Sequence, residues 1–484
     1  MNITQHPLFL ISLLLAAFFF KGVFLVALFP IFTGQDEARH YNTLQYFNQP
    51  KIPNEKMTHR PYIQNKEDFS DYNFSEEIIN TGKAAGIDDL RHGLFDTQPF
   101  VSESFDGPNE SSITQKTWKP YNFTAPADIA GTGSFYHKVA SEIESALSQH
   151  DILVRFYAIR IFSVFLGTIA VLLAFLIARA LRFDLFTSTL FAALVAFQPK
   201  FSMYMTNINY DALLIPSFFL FTWGGVLSLQ KGLNWKSFIV MLTAVAIGLL
   251  TKGTAIVLLA AFLGIIVFHI LALARRTFNA TTTIKSVGVA LFVIVGIFIL
   301  SSGRYHYTTL IPVGDSLSIT ISSLESYLDK SLTFGRFALS SRTYWGTLGW
   351  NDDFLANHLT DILSRVEGIA ALGLVLFLFT KNKPDFLPEK CSVIFLIAMI
   401  LALQLGIRAA DWNIFAHTGS LVLGTPGRYF LPNLATHIIL VFIGLGMLLG
   451  TRERFKNVLI GGVILMCFFS IFLTLDTILP RFYL

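Results

Sequence analysis

The chain has 484 residues, of which 53% are hydrophobic and only 14% charged, with 48 phenylalanines and a mean hydropathy of +0.57; soluble domains carry roughly 25% charge. Such a chain needs lipid as its solvent, which excludes an ordinary soluble enzyme or binding domain. The net charge of +4 points to no nucleic-acid partner, and Cys391 and Cys467 sit inside apolar runs as small hydrophobes, implying neither a disulfide framework nor a zinc site.

A membrane span needs roughly 20 apolar residues. The hydropathy pattern predicts an all-α polytopic membrane protein of about eleven transmembrane helices, at 8–31, 152–181, 185–205, 209–229, 236–251, 253–274, 286–302, 362–380, 391–408, 429–450 and 457–476. The first is too long for a signal-peptide core and no A-x-A cleavage site follows it, so it is expected to remain as residues 1–31. Lys21 interrupts it and should face other helices or snorkel. Only Lys252 separates the fifth and sixth spans, which requires a tight turn there. Between the spans lie a large loop at 32–151, six helices within 152–302, a second loop at 303–361, and the last four helices within 362–484, where a third loop covers about 409–428. No internal repeat is present. The stretch 51–133, rich in Asn, Ser, Asp, Gly and Pro, reads as loop-rich.

Lys and Arg in short loops set orientation. With the N-terminus inside, the inner loops hold Arg179 and Arg182; Lys231 and Lys236; Arg275, Arg276 and Lys285; Lys381, Lys383 and Lys390; and Arg452, Arg454 and Lys456. The 32–151 loop carries 18 of the 32 acidic residues against 10 basic ones, a balance of −8 that leaves +12 elsewhere. The acidic loop is therefore expected on the non-cytoplasmic side. The span interiors read as nearly free of charge, Lys21 being the main exception.

Polar clusters gather at the outer mouths. Directly after the first span comes Gly34-Gln35-Asp36-Glu37-Ala38-Arg39-His40-Tyr41, in which a helix would put Asp36 and His40 on one face. Asn207-Ile208-Asn209-Tyr210-Asp211 joins the third and fourth spans; it suits a capped turn as well as a binding site, and an acid at position 211 suits a helix N-terminus. Lys252 is either a snorkelling lysine or a cation for phosphate. In the second loop, Tyr344-Trp345-Gly346-Thr347-Leu348-Gly349-Trp350-Asn351-Asp352-Asp353 offers aromatic platforms and oxygen ligands, or an interfacial aromatic belt and a helix cap. Arg304 and Arg428 break the basic-inside tendency, and each suits a phosphate or pyrophosphate.

Nucleotide sugars are cytoplasmic, so sugar transfer at an outer face needs a lipid-phosphate donor. Its leaving group needs cations, and the acceptor hydroxyl needs one carboxylate as general base. These residues, in this order, resemble the GT-C superfamily of membrane glycosyltransferases, and most nearly the bacterial membrane family called domain of unknown function 2142. The matching elements are Asp36, Glu37 and His40; Pro199 with Asn207 to Asp211; Trp345, Gly346, Gly349 and Trp350; and Gly427, Arg428, Tyr429 and Pro432. The family's His-Pro-Pro-x-Tyr-Tyr-like element is replaced by Gly133-Ser134-Phe135-Tyr136-His137, without the prolines.

The resemblance implies Asp36 as general base with Glu37 the next candidate, and Lys252, Arg304 and Arg428 on the donor phosphate. His40, Asn207, Asn209, Asp211, Trp345, Trp350, Asp352 and Tyr429 would line the donor or acceptor pocket. It implies a polyprenyl-phosphate sugar as donor, membrane lipid as surroundings, a glycan or lipid acceptor, and a bacterial inner or plasma membrane as location. Some members of the superfamily use a divalent metal; no compact metal motif stands in this sequence. The rival expectations are a ligase or polymerase using a lipid-pyrophosphate donor, and a polysaccharide transporter or flippase.

Overall fold

The structure, a computed structural model, describes residues 7–48, 75–85, 134–274, 321–348, 353–354, 357–421 and 426–483. Its first ten helices are α1 Pro7–Leu28, α2 Glu37–Phe47, α3 Glu76–Ala84, α4 Phe135–Ala146, α5 Ile152–Ala180, α6 Leu185–Phe197, α7 Pro199–Tyr204, α8 Asp211–Lys231, α9 Trp235–Thr251 and α10 Ile256–Ala274. After an undescribed stretch come α11 Ile321–Ser331 and α12 Phe334–Gly346. A two-residue antiparallel ribbon follows, β1 Thr347–Leu348 on β2 Asp353–Phe354, with Thr347 opposite Phe354. The chain continues with α13 Asn357–Phe379, α14 Lys390–Thr418, a 3-10 segment Gly427–Asn433, α15 Leu434–Leu449, α16 Arg452–Leu473 and α17 Leu479–Tyr483.

Among the described residues, eight helices are long and apolar enough to cross a membrane, and Leu185–Phe197 and Trp235–Thr251 are shorter apolar helices. Ten of the eleven predicted spans thus have a helical counterpart; the seventh, 286–302, lies outside the described residues. The helix starts are written in the sequence. Asp151, Asp184, Asn234 and Thr451 each accept a backbone N–H of the following first turn, opening α5, α6, α9 and α16.

One predicted span is not continuous. The expected helix 185–205 breaks at Gln198, which is extended (φ −61°, ψ 121°), because Pro199 bars the residue before it from helical geometry and then opens α7 at N1. Lys21, half-buried and facing other helices, serves this break. Its ammonium donates to Ala196 O at 3.3 Å and Ser202 Oγ at 2.8 Å, and lies 4.9 Å from the Phe197 ring centre. The tight turn expected at Lys252 is present. Lys252 is extended (φ −157°, ψ 138°), and a one-turn 3-10 helix, Gly253–Ala255, leads into α10.

At one end of the bundle Arg182 pairs with Glu389 at 2.7 Å and Lys456 with Asp184 at 2.9 Å, and Lys390 donates to Leu378 O and Thr380 O at 2.9 and 2.6 Å, capping α13. This end holds the short basic connections. At the other end lie α2, α4, α7, the start of α8, the 252–255 turn, α11, α12 and the 427–433 segment. The two ends are joined by one continuous hydrophobic core through α1, α5, α6, α8, α14, α15 and α16. α13 and α15 approach backbone to backbone: a Cβ at Gly444 would overlap the Ala370 carbonyl, and one at Gly373 the Gly444 carbonyl. Small residues permit this close helix contact in a membrane protein.

Candidate functional site

The turn between α1 and α2 is built around a buried arginine. Arg160, on the third turn of α5, donates from Nη1 to Phe29 O and from Nη2 to Pro30 O, the latter at 2.8 Å. It also grips the Glu37 carboxylate bidentately, Nε to Oε1 at 2.8 Å and Nη2 to Oε2 at 2.6 Å. Gly34 N–H and Ile208 N–H each donate to the same carboxylate at 2.9 Å. Glu37 is fully buried and holds four hydrogen bonds from three segments of chain. The turn it pins carries two left-handed non-glycine residues, Phe32 (φ 59°) and Asp36 (φ 56°). Such conformations cost about 1–3 kcal/mol each and persist where neighbours over-determine them.

Asp36 therefore projects away from the Arg160 pocket. Its carboxylate meets Arg428 Nη1 at 3.2 Å and Arg39 Nη1 at 3.7 Å, with side chains 17% (Asp36) and 11% (Arg428) accessible. Arg428 bonds the Tyr429 hydroxyl at 3.1 Å and lies 4.9 Å from that ring's centre. Lys252 lies between two half-buried rings, 5.0 Å from Tyr429 and 4.4 Å from Tyr210, and pairs with both oxygens of Asp211 at 2.9 and 3.2 Å. Burial works against the lysine's charge, but the Asp211 carboxylate prevails and holds it above the ordinary lysine range. Tyr204 donates to Asp211 at 3.1 Å, and buried Lys200 lies 5.9 Å from the Tyr204 ring.

His40, one turn along α2, faces the edge of Tyr210 at 4.8 Å between ring centres. Its Nδ1 is 3.0 Å from His137 Nε2, and His137 Nδ1 is 2.8 Å from Ser134 Oγ. Burial pushes both imidazoles well below their usual range, and for His40 the charges of Lys252, Arg39 and Arg428 push the same way. Asn209 holds the start of α8, accepting from Ala212 N–H at 3.1 Å and donating to Tyr204 O at 2.9 Å. Asn207 lies against Gly34, where a Cβ would come within 2.7 Å of the Asn207 Cγ.

Nine residues singled out in the sequence are thus brought together: Asp36, Glu37, His40, Asn207, Asn209, Asp211, Lys252, Arg428 and Tyr429. Trp345 stands beside this cluster. Its indole N–H donates to Glu367 at 3.1 Å, Glu367 pairs with His437 Nε2 at 3.3 Å, and His437 Nδ1 meets the Tyr344 hydroxyl at 2.9 Å. The same turn of α12 supports the arginine, because Thr343 Oγ1 accepts from Gly427 N–H at 2.7 Å. Arg304, Trp350 and Asp352 lie outside the described residues.

Sequence reading missed several charges. The spans were expected to be nearly free of them, yet Arg155 and Arg160 are fully buried in α5, Glu367 and Arg408 lie within α13 and α14, and α14 runs on to Thr418 through much of the expected third loop, carrying Asp411 with it. Arg155 joins Glu144 of α4 and Glu77 of α3, while Tyr41 donates to both Glu144 oxygens at 2.9 Å. Burial raises the Glu144 carboxyl, against the pull of Arg155 and Tyr41. The sequence signal was available: two arginines five residues apart at the start of a span, directly after an acidic loop. The Ser134 to His137 element also has a place, since Ser134 caps α4 and Tyr136 bonds Ser163 at 2.8 Å. Among the described residues, no group of three or more His, Cys, Asp or Glu could hold a metal ion.

Fold and cluster together define a polytopic helical membrane protein with a polar, cation-rich site at one end of its bundle. Residues 152–300, which begin with α5 and include α6 to α10, match the family model described as dolichyl-phosphate-mannose-protein mannosyltransferase. Over that third of the chain the sequence is similar to a glycosyltransferase family, and the long apolar helices are those of an integral membrane protein. No curated protein matches the sequence.

Proposed function

We propose that this chain moves a sugar from a polyprenyl-phosphate carrier to a glycan, lipid or cell-envelope acceptor on the non-cytoplasmic face of a bacterial plasma membrane, as expected for a relative of the domain of unknown function 2142 family. Asp36 is the general base. It takes the proton of the acceptor hydroxyl as that oxygen bonds to the anomeric carbon and the bond from anomeric carbon to phosphate oxygen breaks. The carrier phosphate leaves with a second negative charge, which Arg428 and Lys252, and Arg304 in the same reading, stabilise. His40, Asn207, Asn209, Asp211, Trp345, Trp350, Asp352 and Tyr429 shape the pocket.

The observation that carries this reading is the contrast between two adjacent carboxylates. Glu37 is held by four donors, whereas Asp36 is partly accessible and set 3.2 Å from a cation, Arg428, that a phosphate can share. The two buried arginines of α5, Arg155 and Arg160, are paired with glutamates, which favours an enzyme over a transporter. The family match, whose description names a dolichyl-phosphate-mannose donor, supports a lipid monophosphate over a pyrophosphate. A purified preparation given matched polyprenyl-phosphate mannose and polyprenyl-pyrophosphate oligosaccharide tests the donor class. Turnover of the monophosphate is expected, and turnover of the pyrophosphate alone would replace this reading with a ligase.

A further inference from the structure

Gln35 directly precedes Asp36 and has not been assigned any part in the site. Its side chain is buried, at 3% accessibility, and both its amide nitrogen and its amide oxygen lack a hydrogen-bond partner. The side-chain oxygen of Asn207, which packs against Gly34, is also buried without a partner. Buried amides are costly when unbonded, and native proteins leave few of them so. Here two such groups belong to the Gly34 turn and to Asn207, which Gly34 lets approach. The backbone of that turn is held by Arg160 and Glu37.

A ligand that brings both donors and acceptors explains the arrangement. Phosphate has only acceptors and is served by the cations. Sugar hydroxyls donate and accept, and a carboxamide beside an unpaired carbonyl oxygen is suited to them. We infer that Gln35, with Asn207, forms the polar recess that binds hydroxyls of the transferred sugar, making Gln35 a specificity-determining residue. The inference rests on the lipid-phosphate reading above and adds the sugar contact to it. Gly34 is required by the same geometry, because any side chain there would meet both Asn207 and Glu37.

The test uses the full chain in nanodiscs and two kinds of probe: a panel of farnesyl-phosphate sugars (mannose, glucose, arabinose) and bare farnesyl phosphate. Gln35→Met keeps length and burial but removes the amide. For the sugar the wild type binds most tightly, the variant is expected to lose about tenfold in affinity, the equivalent of one or two hydrogen bonds. Bare farnesyl phosphate should bind as before, and the ligand-free Tm should be equal to or above that of the wild type, since an unbonded amide has gone. Equal sugar affinity in the variant, or a lowered Tm with unchanged affinity (the mark of an internal water on Gln35), overturns the inference and leaves the donor reading standing. A wild type that binds no sugar conjugate better than bare farnesyl phosphate also overturns it, with the phosphate site intact. A wild type that binds neither probe overturns the donor reading and this inference together.

Discussion

At the residue scale, Asp36 and Glu37 show how position along one turn separates two identical functional groups. Glu37 forms a buried ion pair whose removal leaves Arg160 charged in an apolar surrounding. Breaking such a pair costs about 3–5 kcal/mol. Glu37→Leu should therefore lower the detergent-solubilised Tm steeply and reduce accumulation in membranes, whereas Asp36→Asn should leave both unchanged; equal loss for the two would contradict the division of labour. The His40–His137 pair predicts a pH effect. Both imidazoles are held below their ordinary value, so the folded chain binds fewer protons than the unfolded one in the window beneath about pH 6.5. The stability of the neutral pair is complete above that pH and is lost as pH falls through it, by about 1.4 kcal/mol per imidazole per pH unit. Melting at pH 7.5 and 5.5 should show this loss, and His137→Gln should flatten it; an unchanged slope in that variant would rule the pair out as the cause.

At the element scale, much was legible in the sequence because membrane helices announce themselves by length and hydropathy. α1, α5, α8 and α16 follow from apolar runs and from capping residues such as Asp151 and Thr451. The Pro199 break was legible too, since proline restricts the residue before it and polar Gln198 and Lys200 flank it, but the apolar residues on both sides were read as one span. Arg155 and Arg160 were hidden by averaging. Two charges in a strongly hydrophobic 29-residue helix barely lower its mean, yet their partners Glu37, Glu77 and Glu144 lie up to 123 residues away in the chain. The contact of α13 with α15 illustrates a feature only packing reveals. Gly444→Val would drive a side chain into the Ala370 backbone, and overpacking of this kind should cost more than the usual 1–3 kcal/mol, since a backbone cannot step aside. A Tm that survives this substitution would contradict the packing.

At the scale of the whole molecule, Asp36, Asp211, Lys252 and Arg428 come together from four separated stretches that the sequence marked as polar clusters at span mouths. What the sequence could not supply was pairing, because which cation meets which carboxylate depends on helix order in the bundle. The basic end should be cytoplasmic. Reporter fusions at the 182–184, 232–234 and 381–389 connections should be active only inside, and one at the 148–150 turn only outside; reversed signals would invert the proposed face. The most direct test of the account is single-turnover transfer from a panel of radiolabelled polyprenyl-phosphate sugars to an acceptor-containing membrane extract, comparing wild type with Asp36→Asn in nanodiscs. General-base removal is worth about 10²–10⁴ in rate, so the account predicts a fall of at least 10² for Asp36→Asn with donor binding retained. A variant that transfers sugar at the wild-type rate would contradict it.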